Sequence, residues 1–167
     1  MERRLDDRHT ISLLVNNKPG VLIRIALVFS RRGFNLESVV VSPSHGTSYS
    51  RMNMVASGDP QTLDQIINQL NKLVDVIHAR DHTGDYTVER ELALIKVNCL
   101  PETRTEVLQI ADHFKCHSLD MDELSMTFEV TGNTDKLNAV HSLFEKFGII
   151  ESVRSGKLIM MRGAKDT

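Results

Sequence analysis

The chain has 167 residues, enough for one domain of ordinary size or for two small domains of about 80 residues each. Its 20 basic and 22 acidic residues nearly balance, which argues against a dedicated nucleic-acid-binding protein. No apolar run reaches the roughly 20 residues that a membrane-spanning helix needs, and residues 1–7 lack the apolar core of a secretory signal. The two cysteines, Cys99 and Cys116, are too few for a disulfide framework. We therefore expect a cytoplasmic protein.

Four strands and two helices are predicted in the first half of the chain. Clustered or alternating apolar residues predict the strands, at residues 9–16, 36–41, 49–56 and 74–79. Apolar side chains at helical spacing predict one helix over residues 21–32, which ends at Gly33. A second helix is predicted from Pro60 to Leu73, with Asp59 as its N-cap. The order is strand, helix, strand, strand, helix, strand.

The first predicted helix is apolar over more than one face. Its stripe at positions i, i+3, i+4 and i+7 starts at Leu22, and three further apolar residues flank this stripe, Ile23, Leu27 and Val28. A helix that packs only on a sheet needs the stripe alone. The surplus therefore predicts a second packing surface, as at an interface between subunits.

The polar segment 80–86 interrupts this pattern, and the same order of elements then starts again. Strands are predicted at residues 92–97, 116–121, 125–130 and 149–154, with a short additional strand at 157–161. A capping box of Thr103 and Glu106 predicts the start of the third helix, and Asn133 or Thr134 caps the fourth. We therefore predict an α+β protein built of two tandem ferredoxin-like βαββαβ units. Their expected bounds are residues 1–80 and 90–167, with a linker at 81–89.

The turn between the first strand and the first helix has residues that suit a ligand site. Asn17 and Gly20 tolerate a positive φ, and Pro19 fixes its own φ and has no N–H donor. Glycine lets a ligand approach the backbone, and the free N–H groups at a helix start favour a carboxylate or a phosphate. A plain strand-to-helix turn is nevertheless the more frequent explanation of such a loop. The loop alone leaves both interpretations open.

We find no constellation of catalytic residues and predict none. The G-x-S-x-G, P-loop and H-E-x-x-H motifs are absent from the sequence. The nearest metal-ligand spacing is that of His113, Cys116 and His117, but no second cluster completes the ligand set that zinc usually takes. Surface histidines explain these residues better, and we predict no metal site. A small enzyme that uses these three side chains is a hypothesis that a metal assay on the purified protein would test.

Several short runs of residues, spread over nearly the whole chain, carry a family resemblance. They lie at 17–20, 31–38, 50–52, 58–59, 69–76, 88–97, 154–156 and 162–163. In these runs the chain resembles the small, regulatory subunit of acetolactate synthase, also called acetohydroxyacid synthase, and its first unit resembles the ACT domain of that subunit. The most specific match is Glu-Arg-Glu-Leu-Ala-Leu-Ile-Lys-Val at 89–97, together with Leu-Val-Asp-Val at 73–76.

The resemblance implies a non-catalytic partner protein. Small subunits of this family bind the catalytic subunit, raise its activity and confer feedback inhibition by valine in the biosynthesis of valine, leucine and isoleucine. Thiamine diphosphate, Mg²⁺ and FAD belong to the catalytic subunit, so no cofactor is expected in this chain, and neither is a nucleic-acid or membrane partner. The alternative is a stand-alone ACT-domain regulator that binds an amino acid. A transcription regulator of that kind would need a helix-turn-helix or a basic arm, for which the roughly 8 polar residues before the first strand are too few.

The resemblance also implies an effector site shared between two chains. ACT domains pair side by side as a homodimer, and the amino acid binds at the interface against the first strand-to-helix loop. Carried over to this sequence, the valine-binding residues are Asn17, Gly20 and Asn35, and the N–H of Val21 or Leu22 receives the carboxylate. Side-chain amides both donate and accept hydrogen bonds, which suits a ligand that has an ammonium and a carboxylate group.

Overall fold

The computed structural model describes residues 8–167 and divides them into two compact units. The first unit contains the residues up to Val88 together with Gly156–Thr167, and the second unit is Glu89–Ser155. Segment 1–7, on which the prediction of no secretory signal depends, lies outside the described residues. Within the described part of the chain, no helix is long and apolar enough to cross a membrane.

The first unit contains a four-stranded antiparallel sheet and two helices. In chain order its elements are β1 (Arg8–Asn16), α1 (Val21–Ser30), β2 (Asn35–Pro43), β3 (Tyr49–Ser57), α2 (Pro60–Leu70) and β4 (Val76–Asp81). The strands lie in the order β2-β3-β1-β4, so β2 and β4 are the edges of the sheet. The predicted α+β class and the predicted order of elements are confirmed.

Alternation along the strands places the apolar core on one face of this sheet. Ile11, Leu13 and Val15 of β1 are buried, and their neighbours on β3 include Met52 and Met54. The helices cover this face with the buried residues Val21, Ile25, Val28, Phe29, Leu63, Ile66 and Leu70. The loops that join strands to helices begin where the strands end, so they lie at the two ends of the sheet.

The ends of the helices in the first unit follow the expected local rules, with one difference in length. Asp59 caps α2, since its carboxylate accepts hydrogen bonds from the Gln61 N–H (3.3 Å) and the Thr62 hydroxyl (2.7 Å). Helix α1 ends at Ser30, two residues earlier than predicted, and Gly33 follows it with a φ of 71°. A positive φ after a helix favours glycine, so this part of the prediction is confirmed.

The second unit repeats the topology of the first. Its elements are β5 (Thr87–Asn98), α3 (Arg104–His113), β6 (His117–Met121), β7 (Ser125–Gly132), α4 (Thr134–Glu145) and β8 (Ile149–Arg154). The strand order is β6-β7-β5-β8, and the short strand β9 (Leu158–Met161) pairs with β5, the strand in which the boundary between the units falls. Phe128 and Phe144 stack in the core of this unit with ring centroids 5.4 Å apart.

The predicted capping box at the start of α3 is wrong. Thr103 has a helical backbone (φ −103°, ψ −8°) and makes no side-chain cap, and its hydroxyl donates backwards to the Leu100 carbonyl (3.3 Å). Glu106 forms an ion pair with Lys146 instead. A capping side chain needs an extended backbone to reach the N–H groups ahead of it, which Thr103 does not have. Helix α4 is capped by Asn133, whose side chain accepts from the Lys136 N–H (3.1 Å).

The C-terminal unit is shorter in the structure than the expected range of 90–167. Residues 156–167 belong to the first unit, where they pack on the β2, β3 and β4 strands. Arg51 of β3 donates to the main-chain oxygen of Thr167 (2.9 Å), and Arg80 of β4 donates to that of Asp166 (3.2 Å). The expected linker at 81–89 is also shorter, because β4 ends at Asp81 and β5 begins at Thr87.

Candidate functional site

The loop between β1 and α1, residues 17–20, is exposed on the surface of the first unit. Gly20 occupies the N-cap position of α1 with φ 82° and ψ −9°, in the left-handed region that favours glycine. It provides no side chain to cap the helix, and the first turn of α1 contains no acidic residue. The helix therefore begins without the usual local partners for its free N–H groups.

Three hydrogen bonds, one from the loop and one from each of its flanking elements, hold this region to the rest of the unit. The Asn16 N–H donates to the main-chain oxygen of Asp75 (2.8 Å), and the Asn17 N–H donates to that of Ser48 (2.9 Å). Just beyond the loop, the Arg24 guanidinium pairs with the Asp75 carboxylate. The loop is thus attached to the α2–β4 turn on one side and to the β2–β3 hairpin on the other.

Val21 and Leu22 differ in what their side chains do at the helix start. The Val21 side chain is buried in the core, and its N–H makes a long hydrogen bond to the Lys18 carbonyl (3.5 Å). Leu22 is exposed. The first hydrogen bond within α1 runs from the Arg24 N–H to the Gly20 carbonyl (3.2 Å). Leu22 lies before Arg24, so no helical carbonyl is available to accept a hydrogen bond from its N–H. Of the two N–H groups, that of Leu22 is the better placed for an external carboxylate.

Asn35 lies at the opposite end of the sheet from Asn17. It is the first residue of β2 and pairs with Ser57 of β3, which in turn pairs with Arg8 at the start of β1. Asn17 directly follows Asn16, the last residue of β1, and is nine residues after Arg8. At about 3.3 Å per residue, the two ends of β1 are roughly 25–30 Å apart. Within one chain, the structure therefore does not bring Asn35 together with Asn17 and Gly20.

An exposed apolar surface runs along the edge strand β2 and the outer side of α1. Val41 of β2 is 46% exposed and Ile23 of α1 is 66% exposed, and Val39, Leu22 and Leu27 are also exposed. Of the surplus apolar residues predicted on the first helix, Ile23 and Leu27 thus lie on the surface of the unit, whereas Val28 is buried in its core. An edge strand also has main-chain N–H and C=O groups that are free to pair with another strand.

The residues considered for metal binding do not form a ligand set. Within residues 8–167, no group of three or more His, Cys, Asp or Glu side chains comes close enough to hold a metal ion. The ring of His113 packs edge-on against Phe114 (4.9 Å between centroids), and His117 is exposed on the edge strand β6. Burial raises the pKa of the Cys116 thiol, which disfavours the thiolate form that binds metals and reacts with electrophiles.

A hydrogen-bonded chain of three polar residues, Ser12, His82 and Asp85, was not predicted from the sequence; Ser12 and His82 are buried, and Asp85 is exposed. The Ser12 hydroxyl is 2.8 Å from His82 Nε2, and His82 Nδ1 is 3.1 Å from the Asp85 carboxylate. This order of groups is that of a hydrolase triad, but Ser12 lies in the middle of β1 and is only 1% exposed. A substrate cannot reach such a hydroxyl, so the three residues serve to attach the turn after β4 to β1. No local motif could have found them, because Ser12 and His82 are 70 residues apart.

Two family models match most of the chain. Residues 11–78 match the "AHAS small subunit-like ACT domain", and residues 90–163 match the "small subunit of acetolactate synthase". A relative from Archaeoglobus fulgidus, described as a probable acetolactate synthase small subunit, is 44% identical over 158 residues, which are 95% of this chain and 99% of that protein. The chain belongs to the acetolactate synthase small-subunit family.

Further similarities agree with this family assignment. The acetolactate synthase small subunit of Mycobacterium bovis is 43% identical over 157 residues, 94% of each chain. The crystal structure of the acetolactate synthase small subunit from Thermotoga maritima superimposes with a TM-score of 0.83 at 35% identity, covering 95% of this chain and 99% of that one. The resemblance inferred from the sequence is therefore confirmed over nearly the full length, and the chain is a regulatory small subunit with an ACT domain in its first unit.

Proposed function

We propose that this regulatory subunit binds and activates the catalytic subunit of acetolactate synthase and makes it sensitive to feedback inhibition by valine. The enzyme complex would act in the biosynthesis of valine, leucine and isoleucine. The observation that carries the proposal is an exposed helix start without a capping side chain, beside an unpaired apolar strand edge, in a chain of this family.

The position of Asn35 supports an effector site built by two copies of the chain. In the sheet, β2 runs parallel to β1, so the end of β2 at Pro43 lies on the same side as the β1–α1 loop. If two β2 edges pair antiparallel around a twofold axis, the start of one β2 comes next to the end of the other. Asn35 of the second copy would then lie beside Asn17 and Gly20 of the first.

The groups at this shared position match the chemistry of valine. The Leu22 N–H and the positive end of the α1 dipole suit the carboxylate. The side-chain amides of Asn17 and Asn35 can accept from the ammonium group and donate to the carboxylate. The exposed aliphatic residues of α1 and β2 would contact the isopropyl group, although a single methylene changes binding by only about 1–3 kcal/mol.

Valine would act by linkage between two arrangements of the dimer. Valine bound across the interface stabilises one arrangement, and inhibition follows if that arrangement activates the catalytic subunit less well. A coupling of about 1–3 kcal/mol, which corresponds to 5- to 150-fold, is typical of such switches. We propose that thiamine diphosphate, Mg²⁺ and FAD are held by the catalytic subunit and none of them by this chain, and that the complex is cytoplasmic.

Reconstitution with the catalytic subunit tests the proposal. Acetolactate formation is measured with the catalytic subunit alone, with this chain added, and with this chain and valine. We expect this chain to raise the rate and valine to reverse that increase. If this chain produces neither activation nor a valine response, the proposal is wrong. If it binds valine but leaves the catalytic subunit unaffected, the alternative of a stand-alone amino-acid-binding regulator is favoured.

A further inference from the structure

Asp75 contacts the residues on both sides of the β1–α1 loop. Its main-chain oxygen accepts from the N–H of Asn16, the last residue of β1, at 2.8 Å. Its carboxylate accepts from Nη2 of Arg24, which is in the first turn of α1. The Arg24 N–H in turn makes the 3.2 Å bond to the Gly20 carbonyl. One residue of the α2–β4 turn therefore holds both the end of β1 before the loop and the first turn of α1 after it.

The turn that presents Asp75 is itself firmly held. The Asn71 side chain accepts from the Ala79 N–H (2.8 Å) and donates to the Ala79 carbonyl (3.1 Å), and the Val76 N–H donates to the Leu73 carbonyl (3.0 Å). The Asp75 side chain is only 17% exposed. A partly shielded carboxylate on a fixed turn is a better anchor than an exposed surface pair, which salt and side-chain entropy weaken.

Arg24 is placed against the preference of its own helix. Cations are unfavourable near the positive N-terminal end of the helix dipole, and the first turn of α1 has no acidic residue to offset it. The guanidinium folds back over the loop, so that its Nη1 would be 3.6 Å from a Cβ on Gly20. Residues that contradict a local rule often have a functional reason. Here the contact with Asp75 accounts for the position of Arg24.

We propose that Asp75 and Arg24 are positioning residues, which hold the β1–α1 loop in the conformation that binds the effector. This inference depends on the proposed valine site at the same loop. Residues 17–20 are exposed and include a left-handed glycine, so the loop must be ordered by contacts from outside it. A loop fixed before binding gives higher affinity than one that becomes ordered only on binding. Without the ion pair, valine should bind about tenfold more weakly, as expected when a charged hydrogen bond is lost.

Calorimetric titration of the full chain with L-valine, without the catalytic subunit, tests this inference. Asp75→Asn removes the charge and keeps the main-chain oxygen that holds Asn16, and it should raise the dissociation constant about tenfold. Glu106→Gln is the control, since it removes the charge from an ion pair outside this loop, that with Lys146 in the second unit. This control should leave valine binding within about twofold of the unchanged chain.

A double-mutant cycle separates positioning from general damage to the fold. Arg24→Gln should weaken binding as much as Asp75→Asn, and the double variant should be no worse than either single variant, because both remove the same contact. Arg24→Lys still reaches Asp75 with a positive charge and should restore most of the affinity. Additive losses in the double variant, or an Asp75→Asn chain that binds as tightly as the unchanged one, would overturn this inference but not the proposed valine site. If the unchanged chain does not bind valine, the proposed effector site and this inference both fail.

Discussion

The two units share one topology but differ at the corresponding loop, between the first strand and the first helix of each. In the first unit, α1 begins at left-handed Gly20 without a side-chain cap, and the loop before it is exposed. In the second unit, Thr103 at the start of α3 has a right-handed helical backbone, and Glu106 supplies an acidic group in the first turn. The same fold thus provides a helix start without a nearby acidic group in the first unit, and a helix start whose positive dipole end faces an acidic residue in the second.

In the second unit, a side chain at the start of α3 occupies main-chain carbonyls of the loop between β5 and α3 and of the β6–β7 hairpin. Nη2 of Arg104 donates to the carbonyls of Cys99 (3.3 Å), Asp122 (3.4 Å) and Glu123 (2.7 Å), which join the loop to the β6–β7 hairpin. Hydrogen bonds from Leu124 and Ser125 hold the Asp122 carboxylate in that hairpin and lower its pKa. If the first unit binds valine as we propose, the comparison indicates that the ferredoxin-like topology alone does not make an effector site. The site requires that the loop's hydrogen-bonding groups stay available to a ligand.

The largest effect should come from blocking the open helix start. Gly20→Asp places a competing carboxylate at the N-cap and a side chain at a φ of 82°. We expect loss of the valine response in the acetolactate assay, with activation retained, and a stability loss of about 1–2 kcal/mol from the left-handed backbone. Gly84→Asp is the control, because Gly84 has nearly the same φ, 83°, outside this loop. A Gly84→Asp chain that also loses the valine response would show that backbone strain, rather than the blocked site, is the cause.

A smaller effect should follow from a charge on the pairing edge. Val41→Lys places an ammonium group on β2, and lysine on an edge strand opposes pairing with another strand. We expect dimerisation to weaken by about tenfold, or about 1.4 kcal/mol, measured by analytical ultracentrifugation over a concentration series. Val153→Lys is the matched change on β8, an edge strand of the second unit where valine is similarly exposed. If the Val153 variant dissociates and the Val41 variant does not, the dimer interface belongs to the second unit.

The smallest effect concerns the helix caps of the second unit. Asn133→Ala removes the side chain that caps α4 and should lower the free energy of unfolding by about 1 kcal/mol. Thr103→Ala removes a hydroxyl that does not cap α3, and it should change stability by less than about 0.5 kcal/mol. Urea denaturation of the two variants compares them directly. Equal losses would mean that Thr103 caps α3 in solution.

Much of the fold was predictable because it depends on local periodicity. Every expected strand and helix is present, and most bounds differ by three residues or fewer, as in α1, which ends at Ser30; β5 differs most, because it begins at Thr87 rather than at residue 92. The capping box failed because the spacing of Thr103 and Glu106 does not determine the backbone angles of Thr103. The return of residues 156–167 to the first unit was not predictable, since it depends on contacts such as that of Arg51 with Thr167, 116 residues away.

The candidate site was predictable only in part, for a similar reason. Gly20 and the exposed helix start follow from local sequence. The Asp75 contact joins residues 51 apart and has no local signal. The separation of Asn35 from Asn17 follows from the strand order, because β1 and β2 run parallel on either side of β3. That geometry is what makes a second copy of the chain necessary to the proposed site.

Mixed dimers of two variants test the central claim that two chains share the effector site. Chains with Asn17→Ala and chains with Asn35→Ala are each titrated with valine alone, and then as a heterodimer purified through two different affinity tags. If each site takes Asn17 from one chain and Asn35 from the other, the heterodimer contains one intact site and one doubly altered site. The account predicts that neither variant homodimer binds valine and that the heterodimer binds one valine. A heterodimer that binds no valine would contradict it, because both sites would then lie within single chains.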